Sequence, residues 1–168
     1  MEIQLLVIII IMIACSAFFS ASETALTGAN RIRLKSMAEN GSKGAKMALK
    51  LLDRYDKVIT TILIGNNIVN ITASSLGTIL ATAIVGPDNA ALVSTVVLTL
   101  VILAFGEVMP KSLAKDHSEG LTVATSGIIT FLTFIFTPLS ALFILLKKLA
   151  NKLFGNCLLY TSPSPRDR

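Results

Sequence analysis

From Ile3 to Phe19 the chain carries no charged side chain, and the same holds from Val58 to Val85 and from Ala90 to Phe105. Runs of this length and apolarity leave few folds open. In lipid every backbone donor and acceptor must be satisfied within the protein, which a helix does by itself, and about 20 apolar residues suffice to cross. Composition agrees: hydrophobic residues make up 53% and charged residues 15% of 168, more apolar surface than a soluble core of that size buries. The expected fold is an all-α membrane protein with three transmembrane helices and juxtamembrane helices on the cytoplasmic side. The first run is read as a span rather than a signal peptide, because only Glu2 precedes it where a signal peptide needs positive charge.

Charge gives the expected topology. Of fifteen Lys and Arg, eight lie between Arg31 and Lys57, within a net charge of +5. Basic connectors stay in the cytoplasm, which places the amino terminus outside and makes nucleic acid an unneeded explanation for the charge. Asn40-Gly41-Ser42 divides this connector into two helical pieces. Ser42 is placed to cap a helix over Lys43 to Asp53, whose face of Ala45, Leu49 and Leu52 opposes Lys43, Lys46 and Lys50 and would lie on the membrane surface. Gly86-Pro87-Asp88-Asn89, without Lys or Arg, reads as a tight outside turn. The stretch from Leu121 to Ala150 is cut by Pro138 and ends near Lys147, Lys148 and Lys152. A single crossing would carry those lysines outside, so a re-entrant or juxtamembrane helical pair with both ends inside is expected, with a cytoplasmic carboxyl end. His117 reads as solvated beside Asp116, and Cys15 and Cys157 define no disulfide or metal framework.

Against this apolar background a few polar residues stand out. Glu107 lies in the third run, where a carboxylate costs about 2.5 kcal/mol or more to hold in lipid and so calls for a partner or a task. Pro110 removes one backbone donor and frees carbonyls around Gly106. Ser16, Ser20, Glu23 and Thr27 recur at spacings of four, three and four, a single stripe on the first helix. Asn66, Asn70 and Ser74 share a face of the second helix, with Asn67 beside them, while Ala73, Gly77 and Ala81 make a ridge of small residues for close helix packing. Carboxylate, amide, hydroxyl and carbonyl oxygens are the ligands of a hard cation. Interhelical hydrogen bonding, worth about 0.6 kcal/mol per bond in membranes, is the competing reading for each asparagine and serine. No His-Glu-x-x-His or Gly-x-Ser-x-Gly motif occurs, so no enzyme is expected.

Three of these stretches carry a resemblance. Phe19-Ser20-Ala21-Ser22-Glu23-Thr24-Ala25-Leu26, Gly65-Asn66-Asn67-Ile68-Val69-Asn70 and Gly106-Glu107-Val108-Met109-Pro110-Lys111 resemble, in order and spacing, the membrane domain of the cyclin-M/CorC (CNNM/CorC) family of magnesium transporters, over residues 1–155. The resemblance implies a homodimer in the cell inner membrane that exports Mg²⁺ in exchange for Na⁺ through an inward-facing cavity. It implies a cation site at Ser20, Asn70 and Glu107, with Asn66, Asn67 and Ser16 close by and backbone carbonyls near Ser20 and Gly106 as further ligands. It also implies cytoplasmic CBS modules beyond this chain. Residues 156–168 resemble a translated sequencing adaptor, so they are expected to be a non-native tail on a domain truncated before those modules. A dimeric membrane anchor and sensor for such a module, moving no ions, is the alternative.

Overall fold

A computed structural model describes residues 2–139, 142–143, 145–146 and 149. Every regular element among them is helical. They are α1 (Glu2–Gly28), α2 (Arg31–Glu39), α3 (Lys43–Leu52), α4 (Tyr55–Val85), α5 (Pro87–Val101), a π-helical segment (Ile102–Val108), α6 (Met109–Asp116) and α7 (Ser118–Ile135). Four helical stretches are long and apolar enough to cross a membrane: α1, α4, the continuous run Pro87–Asp116, and α7. Length and apolarity therefore admit α7 as a crossing beside the three expected ones. Large apolar side chains such as Ile3, Ile71, Leu92, Leu100, Phe131 and Phe134 face outward along these helices, as lipid contact requires.

Local chemistry sets the breaks. Ser42 caps α3 through the Ala45 N–H, as the sequence indicates, and Asn30, which sequence reading did not single out, caps α2 by accepting hydrogen bonds from the N–H groups of Ile32 and Arg33. Gly41 turns the chain between them at φ 93°. The turn after α4 is tighter than expected: Gly86 alone, at φ 82°, separates Val85 from Pro87, which opens α5 at the first position where a missing N–H does no harm. α7 closes at Phe136, two residues before Pro138. Residue 137, which directly precedes that proline, is helical, so the break falls ahead of the position that proline restricts. Lys147, Lys148, Lys152, Cys157 and the whole proposed tail lie outside the described residues.

Packing centres on α1, whose closest neighbours are α4, α6, α7 and the π-helical segment. Phe19, Leu26, Leu51, Val58, Ile62 and Ile129 form a buried cluster that ties α1 to α3, α4 and α7. In α3 the buried face is Ala45, Ala48 and Leu51, with Leu49 and Leu52 only half-buried. That face is rotated from the expected Ala45, Leu49 and Leu52 because α7 packs directly on α3, with Val123 against Gly44. The ridge of Ala73, Gly77 and Ala81 is buried, and Leu98 of α5 sits where a side chain on Gly77 would stand. Ion pairs close the connector on itself, Arg31 to Asp53, and tie it to α7, Arg33 to Glu119 at 3.5 Å.

Gly65 offers a direct check of this packing. A Cβ there would lie 2.5 Å from the Phe19 ring, whereas one on Gly120 meets nothing within 4 Å. Helix propensity favours alanine over glycine by about 1 kcal/mol at both sites, and overpacking costs about 1–3 kcal/mol. Gly120→Ala should therefore leave unchanged or raise the detergent-solubilised melting temperature, and Gly65→Ala should lower it. Equal shifts of one sign would contradict the α1–α4 packing.

Candidate cation site

The geometry begins with Pro110. Its ring nitrogen has no hydrogen to give, so the carbonyl four residues earlier, that of Gly106, loses its ordinary helical partner. The backbone around it widens into the π-helical segment Ile102–Val108, and the N–H of Met109 reaches back to Ala104, five residues away. Glu107 sits within this widened turn, half-buried.

Ser16 of α1 meets the freed carbonyl. Its hydroxyl lies 3.5 Å from Gly106 O and 3.0 Å from Asn66 Oδ1 of α4, joining three spans at one buried serine. Gly106 must lack a side chain for this approach, because a Cβ would stand 3.0 Å from Ser16 Oγ and 3.3 Å from Ser16 Cβ. Beside this knot, Asn70 Nδ2 donates to Glu107 Oε1 at 3.4 Å. The two side chains meet although Asn70 lies beyond Asn66 on α4 and Glu107 beyond Gly106 on its own helix. Helical side chains lean toward their own amino termini, and these two helices run in opposite directions.

Ser20 lies one turn along α1 from Ser16, on the same stripe, and is fully buried. Among the described residues, three buried side-chain oxygens have no hydrogen-bond partner: Ser20 Oγ, Ser22 Oγ and Asn70 Oδ1. An unpartnered buried polar atom costs about 1–3 kcal/mol, so each needs a reason. Two of the three are oxygens of residues at which the family resemblance implies a cation site. Asn70 Oδ1 stands beside the Glu107 carboxylate, and Ser20 Oγ lies one turn along α1 from Ser16; a carboxylate with neutral oxygens is a donor type that fits a hard cation. No group of three or more His, Cys, Asp or Glu occurs among the described residues, so a cation held here would meet mixed oxygens.

The stripe continues toward the connector. Glu23 Oε2 pairs with Lys111 Nζ at 3.2 Å, and Thr27 Oγ1 meets the Tyr55 hydroxyl at 3.1 Å. Ser16, Glu23 and Thr27 thus each meet another helix, and Ser20 between them is buried.

Comparison with known proteins adds the family. The sequence model of the cyclin M transmembrane N-terminal domain matches residues 7–166. The chain belongs to the cyclin M family. A UPF0053 protein of Haemophilus influenzae is 44% identical over 135 residues, 80% of this chain and 32% of that protein. The UPF0053 inner membrane protein YfjD of Escherichia coli is 40% identical over 140 residues, 83% of this chain and 32% of its own length. A polyamine export protein of Haemophilus influenzae is 26% identical over 143 residues, 78% of this chain and 33% of that protein. The chain thus spans about a third of the length of these relatives. It is a multi-pass membrane protein of this family, built from several apolar helices.

Within this cyclin M domain, the residues singled out by sequence are gathered unevenly. Ser16, Asn66 and Gly106 form one knot, Asn70 and Glu107 touch, and Ser20 is buried one turn from Ser16. Asn67 and Ser74 are exposed, outside this group. Three features escaped sequence reading: the π-helical widening, the Glu23–Lys111 pair and the buried Ser22 hydroxyl. The spacing of Gly106 four residues before Pro110 was the available signal for the first.

The knot makes a thermodynamic prediction. Ser16→Ala and Asn66→Ala should each lower unfolding stability, and together by less than their sum. The coupling should be about 0.6–1.7 kcal/mol, the range of hydrogen bonds between membrane helices, read from a double-mutant cycle of unfolding in mixed micelles. Full additivity would place the two side chains apart.

Proposed function

We propose that this chain is the membrane-embedded part of a divalent-cation transporter. It moves Mg²⁺ through a site made by Ser20, Asn70 and Glu107, with Asn66, Ser16 and the Gly106 carbonyl in support. The observation that carries the reading is that Asn70, which bonds the Glu107 carboxylate, keeps its own oxygen buried without a partner, as Ser20 keeps its Oγ on α1. Mg²⁺ takes six oxygens at about 2.0–2.1 Å and gives up water reluctantly. One carboxylate with neutral oxygens holds it weakly enough to release. Asn70 orients Glu107 through its amide N–H and keeps its own oxygen for the ion. The π-helical turn does the same for Gly106, whose carbonyl is aimed sideways rather than along the helix. The connector α2–α3 faces the cytoplasm, Mg²⁺ enters from that side, and the working unit is a homodimer with Na⁺ exchange driving export.

The non-transporting alternative, an anchor and sensor, requires only that Glu107 and Asn70 pair with each other. It accounts for their hydrogen bond and leaves Ser20 Oγ and Asn70 Oδ1 unexplained. A second cargo is favoured by the relative named as a polyamine export protein: an organic polycation also seeks carboxylate and amide oxygens.

Reconstitution tests the proposal. Proteoliposomes enclosing a Mg²⁺-sensitive dye should show flux with the intact chain, fused to its cytoplasmic part where flux requires it. Glu107→Gln should reduce the rate at least about tenfold, and Ser20→Ala or Asn70→Leu should follow, as loss of ligands to a metal does. A flux that survives Glu107→Gln contradicts the site. Flux of spermidine but not of Mg²⁺ selects the second cargo, and flux of neither selects the anchor.

A further inference from the structure

We propose that Glu23 is a further ligand on the cation path, and that Lys111 is its tethered competitor, an ammonium held where an arriving divalent cation binds. The inference rests on the site proposed above and adds two residues to it.

Placement is the first argument. Glu23 follows Ser20 by three residues on α1, and Lys111 follows Glu107 by four on the helix that contains Pro110. Each charged residue therefore stands one turn, about 4.5–6 Å, from a site residue and on the same helical face. The two helices run parallel, with Ser16 against Gly106 and Glu23 against Lys111. Those two contacts bracket Ser20 and Glu107 between them. Since helical side chains lean toward their own amino termini, both members of the pair lean toward the site rather than away from it.

Chemistry is the second. The pair joins a carboxylate oxygen and an ammonium at 3.2 Å, yet both side chains keep part of their surface, 26% for Glu23 and 41% for Lys111. A part-exposed ion pair is weak and exchanges partners readily. A divalent cation offers the same carboxylate twice the charge. As it arrives, Lys111 is displaced along its flexible stem, and Glu23 hands the ion on to Ser20 and Glu107. When the site is without its ion, the ammonium neutralises Glu23, so α1 and α6 can pack closely without an unpaired acid between them. Glu23 thus has a role beyond the interfacial charge that its position near the end of α1 suggests.

The test is calorimetric titration of MgCl₂ into the purified full chain in detergent, with melting curves for every variant. Lys111→Met should tighten Mg²⁺ binding roughly threefold, the scale of one part-exposed ion pair. The gain should vanish in Glu23→Gln/Lys111→Met, and Lys111→Arg, which keeps the charge, should bind as the parent does. If Lys111→Met melts too low to titrate, Lys111→Gln takes its place with the same expectation. An unchanged or weaker affinity in the neutral variant, or a gain that persists without Glu23, overturns the proposal. Glu107→Gln separates it from the site itself: if that variant binds Mg²⁺ as tightly as the parent, the cation site falls, and this inference with it. If Glu107→Gln loses binding while Lys111→Met has no effect, this proposal fails and the cation site stands.

Discussion

A proline in a membrane helix leaves a carbonyl that something else must satisfy, and much of this fold follows from how that is done. The carbonyl freed by Pro110 is that of Gly106. The helix widens around it, and the hydroxyl of Ser16 reaches it at 3.5 Å from another span. That approach requires glycine at 106 and a small polar residue at 16, and it fixes α1 against the third run. Asn66 then joins from α4. The backbone defect and the helix packing are one feature, because each is tolerated at membrane depth only with the other.

Once three helices are pinned at this knot, the polarity beside it has a place. Asn70 and Glu107 meet there, and the oxygens of Ser20 and Asn70 are held with no protein partner. Elsewhere in the chain buried hydroxyls find partners, as along α7, where Thr122 and Thr133 each bond a carbonyl four residues back. Ser20 has the same option on α1 and does not take it.

Much of this was legible in the sequence, for identifiable reasons. Charge-free runs define the spans because lipid tolerates little else, and Ser42 and Gly86 mark breaks through local chemistry that needs no tertiary context. The stripe from Ser16 to Thr27 was visible because helical period is strict, and Ser16, Glu23 and Thr27 each meet another helix. What could not be read depends on three-dimensional neighbours. The buried face of α3 is set by α7 rather than by the hydrophobicity of Leu49 and Leu52. Asn66, Asn67 and Asn70 are chemically alike, and only rotation about α4 decides that Asn67 is exposed. Pro110 announced a disturbed helix, but the π-helical answer came from Ser16 being in reach. Lys111 looked like an ordinary boundary lysine until Glu23 stood 3.2 Å away.

The most direct test of the central claim is anomalous diffraction from crystals of the protein grown with Mn²⁺, a Mg²⁺ substitute visible by its scattering. The account predicts one strong peak per chain, within coordination distance of Ser20 Oγ, Asn70 Oδ1 and the Glu107 carboxylate. That peak should disappear in Glu107→Gln. A peak elsewhere in the membrane region, or none at Mn²⁺ concentrations that support flux, would contradict it.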